Sequence, residues 1–209
     1  TVCVDGISSY PVMKSNHSFD LLSCFPASAE PGKAFTSVTY SNLYFREPES
    51  RADQTRMMSI VTTGAETGYY VDVFRSRKEK GGDKMHDYFY HNLGQTLTLT
   101  AADGSDLNLQ PTEELAFAGA HLYAYSYLYD KKVAATAKDV KATFTIDMKD
   151  KDGDDIYMNL WMKGEPDREV FTALAPMTEG LSRTPNMPYN IKEQPTLTFV
   201  ARQHGEAWN

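Results

Sequence analysis

KATFTIDMKDKDGDDIYMNLWM, Lys141 to Met162, is the stretch whose reading decides the fold. Thr143, Thr145 and Asp147 alternate with Phe144, Ile146 and Met148, and a period of two gives a strand one apolar and one wet face. Ile156, Met158, Leu160 and Met162 repeat the device after a short break. The break itself, KDKDGDD (149–155), carries the Asp and Gly residues that supply the positive backbone torsions of tight hairpins. A hairpin is the stronger reading than a calcium loop: with Gly153 at the sixth position, Met148 falls at the first and Asn159 at the last, where carboxylates belong. Two antiparallel strands joined by a turn are the expectation.

The same alternation recurs outward from this hairpin, at Phe35–Phe45, Met57–Thr63, Tyr69–Phe74, Thr96–Thr100, Leu122–Tyr129 and Thr196–Arg202. Turn signals stand at Asp5-Gly6, Pro31-Gly32, Gly81-Gly82 and Asp103-Gly104, and Pro-rich loops at Pro176–Pro195. Helix is scarce. Thr112–Gly119 predicts one short turn, with Thr112 as its cap and Glu113 and Glu114 at the positive end of its dipole. With no fixed-period repeat and no low-complexity linker, the reading is all-β: one antiparallel β-sandwich domain over residues 1–209, long enough to bury a sizeable core.

A formal charge of −7 excludes a general nucleic-acid surface, and it would also repel an acidic polysaccharide unless a local basic patch intervened. Arg75, Arg77, Lys78, Lys80 and Lys84 form the best such patch, although short charge runs are usually solvated turns. No apolar run approaches the roughly 20 residues that span a bilayer, and the first residues lack the regions of a secretory signal. Cys3 and Cys24 permit one bridge without requiring it, and two reduced thiols are the simpler expectation; their spacing is not that of a zinc site.

The densest polar cluster is His86, Asp87, Tyr88, Tyr90, His91 and Asn92. On a strand His86, Tyr88 and Tyr90 share one face while Asp87, Phe89 and His91 share the other, so the two histidines point apart and do not form a paired metal site. His17 and His121 lack a carboxylate or cysteine at ligand spacing. No serine stands in a GxSxG turn, and carboxylate pairs for glycoside hydrolysis are a property of the fold, not of spacing. Tyr123, Tyr125, Tyr127 and Tyr129 alternate in a run that predicts one aromatic strand face, suited to stacking on sugars or to packing between sheets. Asn16-His17-Ser18 matches a glycosylation sequon, which matters only in a eukaryotic secreted protein.

TVCVDG at the start, VDVFR followed by GGDKMHDYFYHNLG in the middle, and TLTFVARQHGEAWN at the end together resemble the C-terminal β region of the heparinase II/III-like polysaccharide lyases. The resemblance implies a supersandwich-like domain of a larger chain whose N-terminal α/α toroid is missing here, and a parent that cleaves uronic-acid polysaccharide by β-elimination. It implies that the base, the acid and the carboxylate-neutralising groups lie upstream, mainly in the toroid and in an early histidine-rich strand. A divalent metal such as zinc then belongs to the parent, and no cofactor to this chain. The abrupt ends of the sequence fit an excised piece. The implied setting is periplasmic or secreted, and the implied partners are the toroid and, through the parent, an acidic polysaccharide.

No catalytic residue is expected in this chain. The candidates for carbohydrate or domain contact are Arg77, Lys78, Lys80, His86, Tyr88, His91 and Trp161. A stand-alone carbohydrate-binding module is the alternative, with Trp161, Trp208 and the tyrosine run as its stacking platform. An adhesion-type sandwich that binds another protein fits the composition equally and the resemblance worst.

Overall fold

A computed structural model describes residues 2–6, 19–26, 38–47, 50–82, 84–116, 125–148, 153–177 and 194–208. These form fourteen strands and no helix, arranged as three antiparallel sheets. The first sheet orders β1 (Val2–Val4), β6 (Met85–Asn92), β13 (Thr196–His204), β12 (Glu169–Ala175), β9 (Tyr129–Ala135) and β8 (Gln110–Pro111). The second has β10 (Val140–Ile146) between β11 (Ile156–Met162) and β7 (Thr96–Ala101). In the third, β14 (Ala207–Trp208), β5 (Gly68–Arg77), β4 (Ala52–Thr62), β3 (Val38–Glu47) and β2 (Asp20–Phe25) follow one another.

The hairpin read from Lys141–Met162 is the pair β10–β11, in register from Val140 opposite Met162 to Ile146 opposite Ile156. Val140, Ala142 and Phe144 are fully buried on its inner face. They join Leu99 of the same sheet, Ala52, Phe74 and Trp208 of the third sheet, and Val4, Tyr88, Leu197, Phe199 and Ala201 of the first in one cluster, which makes the arrangement sandwich-like. At about 1.5–3 kcal/mol for each large apolar side chain buried, this cluster is the main favourable term holding the three sheets together.

The first sheet is covered on both faces. Cys3, Phe89, Phe171, Ala173 and Val200 point away from the main cluster and pack against Leu115, Tyr125 and Leu128. The central strand β13 is therefore buried at six consecutive positions, from Leu197 to Arg202, where strict alternation would leave every second side chain wet.

Two expectations need correction. The run Leu122–Tyr129 is not a strand where it is described: Tyr125–Tyr127 form a turn, β9 begins only at Tyr129, and Tyr123 lies outside the described residues. Thr112 does cap, its Oγ1 accepting a hydrogen bond from the Glu114 amide at 3.1 Å, but Leu115 stands at φ 54°, a left-handed conformation that stops a helix from growing. Leu115 is held there by burial of its side chain beneath the sheet. The sequon, Pro31-Gly32, His17, His121 and most of the Pro-rich loop also lie outside the described residues, and Cys3 and Cys24 are not bridged.

Candidate functional site

Strand β6 places the histidine cluster at the centre of the molecule. Its parity is the one the sequence predicts, and each face is occupied. His86 is fully buried, with Nδ1 3.1 Å from Ser76 Oγ and Nε2 3.2 Å from the Gly205 carbonyl oxygen. Burial pushes its pKa below the ordinary histidine value, against the hydrogen bond to Gly205 that favours the charged ring. Tyr88, on the same face, stacks on Trp208 and donates a 2.9 Å hydrogen bond to Asp72, whose carboxylate is also held by both Nε and Nη2 of Arg56. Burial and the Asp72 charge push the Tyr88 phenol well above its usual range, so it stays protonated.

On the opposite face Asp87 is fully buried and forms a bidentate pair with Arg202, at 2.7 Å from Nε and 3.0 Å from Nη2. It also accepts a hydrogen bond from the Tyr125 hydroxyl. Arg202 reaches Glu114 at 2.7 Å and lies over the Phe171 ring, 5.0 Å from its centroid. Burial disfavours the charge on Arg202, but the hydrogen bonds and charge of Asp87 outweigh it and hold its pKa above the usual value. His91, further along this face, is exposed, with Nδ1 2.9 Å from Thr198 Oγ1 and its ring stacked beside Phe89. The two histidines that sit close in sequence thus belong to opposite sides of one sheet.

The basic run, which crosses from β5 of the third sheet to β6 of the first, comes apart as a patch. Lys78 is only 8% exposed and forms an ion pair with Asp5, whose other oxygen accepts the Met85 amide at 2.8 Å. This corrects the reading of Lys78 as part of a free basic surface or a solvated tip: the positive-φ turn at Asp5 and Gly6 brings the carboxylate beneath it. Arg77 is exposed and bound to Glu206, at 2.9 Å, and to Glu79, at 3.3 Å. Lys80 is exposed.

Trp161 lies elsewhere, on the outward face of the second sheet. The register there is regular: Trp161, Lys141 and Thr100 lie in one row, Asn159, Thr143 and Thr98 in the next, and Tyr157, Thr145 and Thr96 in the third. Trp161 is 61% and Tyr157 58% exposed, and Lys141 Nζ lies 5.4 Å from the centre of the Trp161 ring. Thr143 Oγ1 donates to Asn159 Oδ1 at 2.9 Å. Trp208 and Tyr125, grouped with Trp161 as a stacking platform on sequence grounds, are instead buried in the two clusters. Sequence reasoning singled out Trp161 but not Lys141, Thr143 or Asn159, whose signal was cross-strand register and not spacing along the chain.

Among the described residues no three His, Cys, Asp or Glu side chains converge as a metal site would require. No helix among them is long and apolar enough to cross a membrane.

Comparison with known proteins supplies the remaining observation. The chain is 32% identical over 173 residues to an endo-acting ulvan lyase of Formosa agariphila, a match that takes in 81% of this chain. A polysaccharide lyase is therefore its relative. The chain spans only 20% of that protein's length. No protein-family model matches the chain.

Proposed function

We propose that this chain is the non-catalytic C-terminal β-sandwich of a heparinase II/III-like lyase that cleaves an acidic, uronate-containing polysaccharide by β-elimination. The observation that carries the reading is the match to one fifth of an endo-acting ulvan lyase over most of this chain. Beta-elimination needs a group to neutralise the uronate carboxylate, a base for the adjacent proton and an acid for the leaving glycosidic oxygen. The buried groups of β6 with suitable chemistry are already spent: both nitrogens of His86 have protein partners, Tyr88 is a buried donor to Asp72, and Asp87 and Arg202 neutralise each other. In this reading a toroid domain supplies the chemistry, any divalent metal such as zinc resides outside this chain, and the protein works in the periplasm or outside the cell, where its polymer substrate is found.

A second reading, a carbohydrate-binding module, is favoured by one feature, the outward Trp161 and Tyr157. The two readings are compatible in one domain. The test is direct: the purified 209-residue chain, incubated with ulvan, should release no unsaturated uronate, while a longer protein containing it should. New ultraviolet absorbance from the chain alone would overturn the non-catalytic assignment.

A further inference from the structure

Trp161 is one of several large apolar side chains left on the surface, at 61% exposure. Met158, Leu160 and Met162 on the same strand turn inward and pack against the main cluster, so β11 does not need Trp161 for its core. Large aromatic side chains left on a surface mark contact sites more often than single exposed aliphatics do. Here two such rings lie four residues apart on one strand face, roughly 13 Å along its axis.

We propose that the outer face of β7, β10 and β11 is a binding platform for an acidic polysaccharide chain, Trp161 and Tyr157 stacking on its sugar rings and Lys141 pairing with a carboxylate. The proposal rests on the lyase reading for its substrate class and adds where this domain holds the polymer.

Four observations support it. The face is regular and backed by core: between the aromatics stand only threonines and one asparagine, and directly behind them Val140, Ala142 and Phe144 are fully buried. The middle row is pre-set, because Thr143 donates to the Asn159 carbonyl oxygen and so fixes that side of the amide, leaving its N–H groups as the donors a ligand would meet. Charge is complementary at one end, where Lys141 stands over the Trp161 ring; Lys163, one residue past the strand, has an 85% exposed side chain but pairs with Glu165 at 3.9 Å. The opposite end carries Asp155, which accepts from the Tyr157 hydroxyl at 3.3 Å, so the platform has a cationic and an anionic end and orients a bound polyanion.

The test is affinity electrophoresis of the 209-residue chain through gels containing ulvan, alginate or a neutral glucan. Ulvan and alginate should retard it and the neutral glucan should not. Trp161→Ala should weaken binding about tenfold and Trp161→Phe much less, as expected for loss of a stacking ring. Lys141→Gln should weaken it about two- to threefold at low salt and not at high salt, since exposed charge contacts are screened. Because both side chains point outward, circular dichroism of each variant should match the parent. Retardation by neither acidic polymer, equal retardation of Trp161→Ala and the parent, or equal retardation by the neutral glucan would overturn the proposal. Any of these results in a chain that still releases no unsaturated product would leave the lyase-domain reading standing. Product release would remove the non-catalytic part of that reading whatever the gels showed.

Discussion

Strand β6 and strand β11 make an instructive pair. β6 carries two histidines, two tyrosines, an aspartate and an asparagine in eight residues, and its side chains are turned almost entirely to holding the sheets together. β11 is mostly apolar in sequence, yet it puts a tryptophan and a tyrosine into solvent beside a lysine and an oriented asparagine. Residue types dense in chemical potential thus mark the structural strand, and a pair of exposed aromatics marks the candidate binding strand. What separates them is partner supply. Polar groups buried in β6 must be satisfied by neighbours and are consumed by them, whereas those on β11 face water and keep donors for a ligand.

The comparison predicts that damage to β6 is damage to stability. Arg202→Ala strands the fully buried Asp87 carboxylate without its ion partner, and loss of one member of a buried pair costs about 3–5 kcal/mol. Chemical denaturation should show a loss of this size. A change under about 1 kcal/mol would mean that the Asp87 pair is no anchor and would return β6 to the list of functional strands.

His86 sharpens the comparison through pH. Its folded-state pKa lies below the ordinary value near 6.5, because burial penalises the charged ring. Below that ordinary value the unfolded chain binds the proton and the folded one does not, so the His86 contribution is present above about pH 6.5 and declines as pH falls toward the folded pKa. Melting temperature should therefore drop between about pH 7 and about pH 5, and His86→Gln should flatten that part of the profile. An unchanged slope in the variant would assign the titration to another group.

How much of this was legible in the sequence follows from the same physics. The β10–β11 hairpin and the split of β6 into two faces were readable because period-two alternation is a local property. β9 and β12 were missed: YDKKVAA and EVFTALA lack a clean apolar alternation, and their strand character comes from β12 pairing with β13 and with β9. The tyrosine run was misread because its alternation is real but its backbone turns, sending Tyr125 down to Asp87 while Tyr127 stays exposed. Lys78 was misread because its partner, Asp5, lies 73 residues away. The β6 cluster was visible as residues, whereas of the β11 cluster only Trp161 was, because its other members are brought together by cross-strand register.

The chain's two tryptophans allow the central claim to be tested in one titration, since Trp208 is buried against Tyr88 on the β6 side and Trp161 is exposed on β11. Intrinsic fluorescence should change on addition of ulvan in the parent and in Trp208→Phe, and should not change in Trp161→Phe, because sugar stacking alters the surroundings of the exposed ring alone. A ulvan-dependent change that survives Trp161→Phe and disappears with Trp208→Phe would contradict the account and place the polysaccharide on the β6 side.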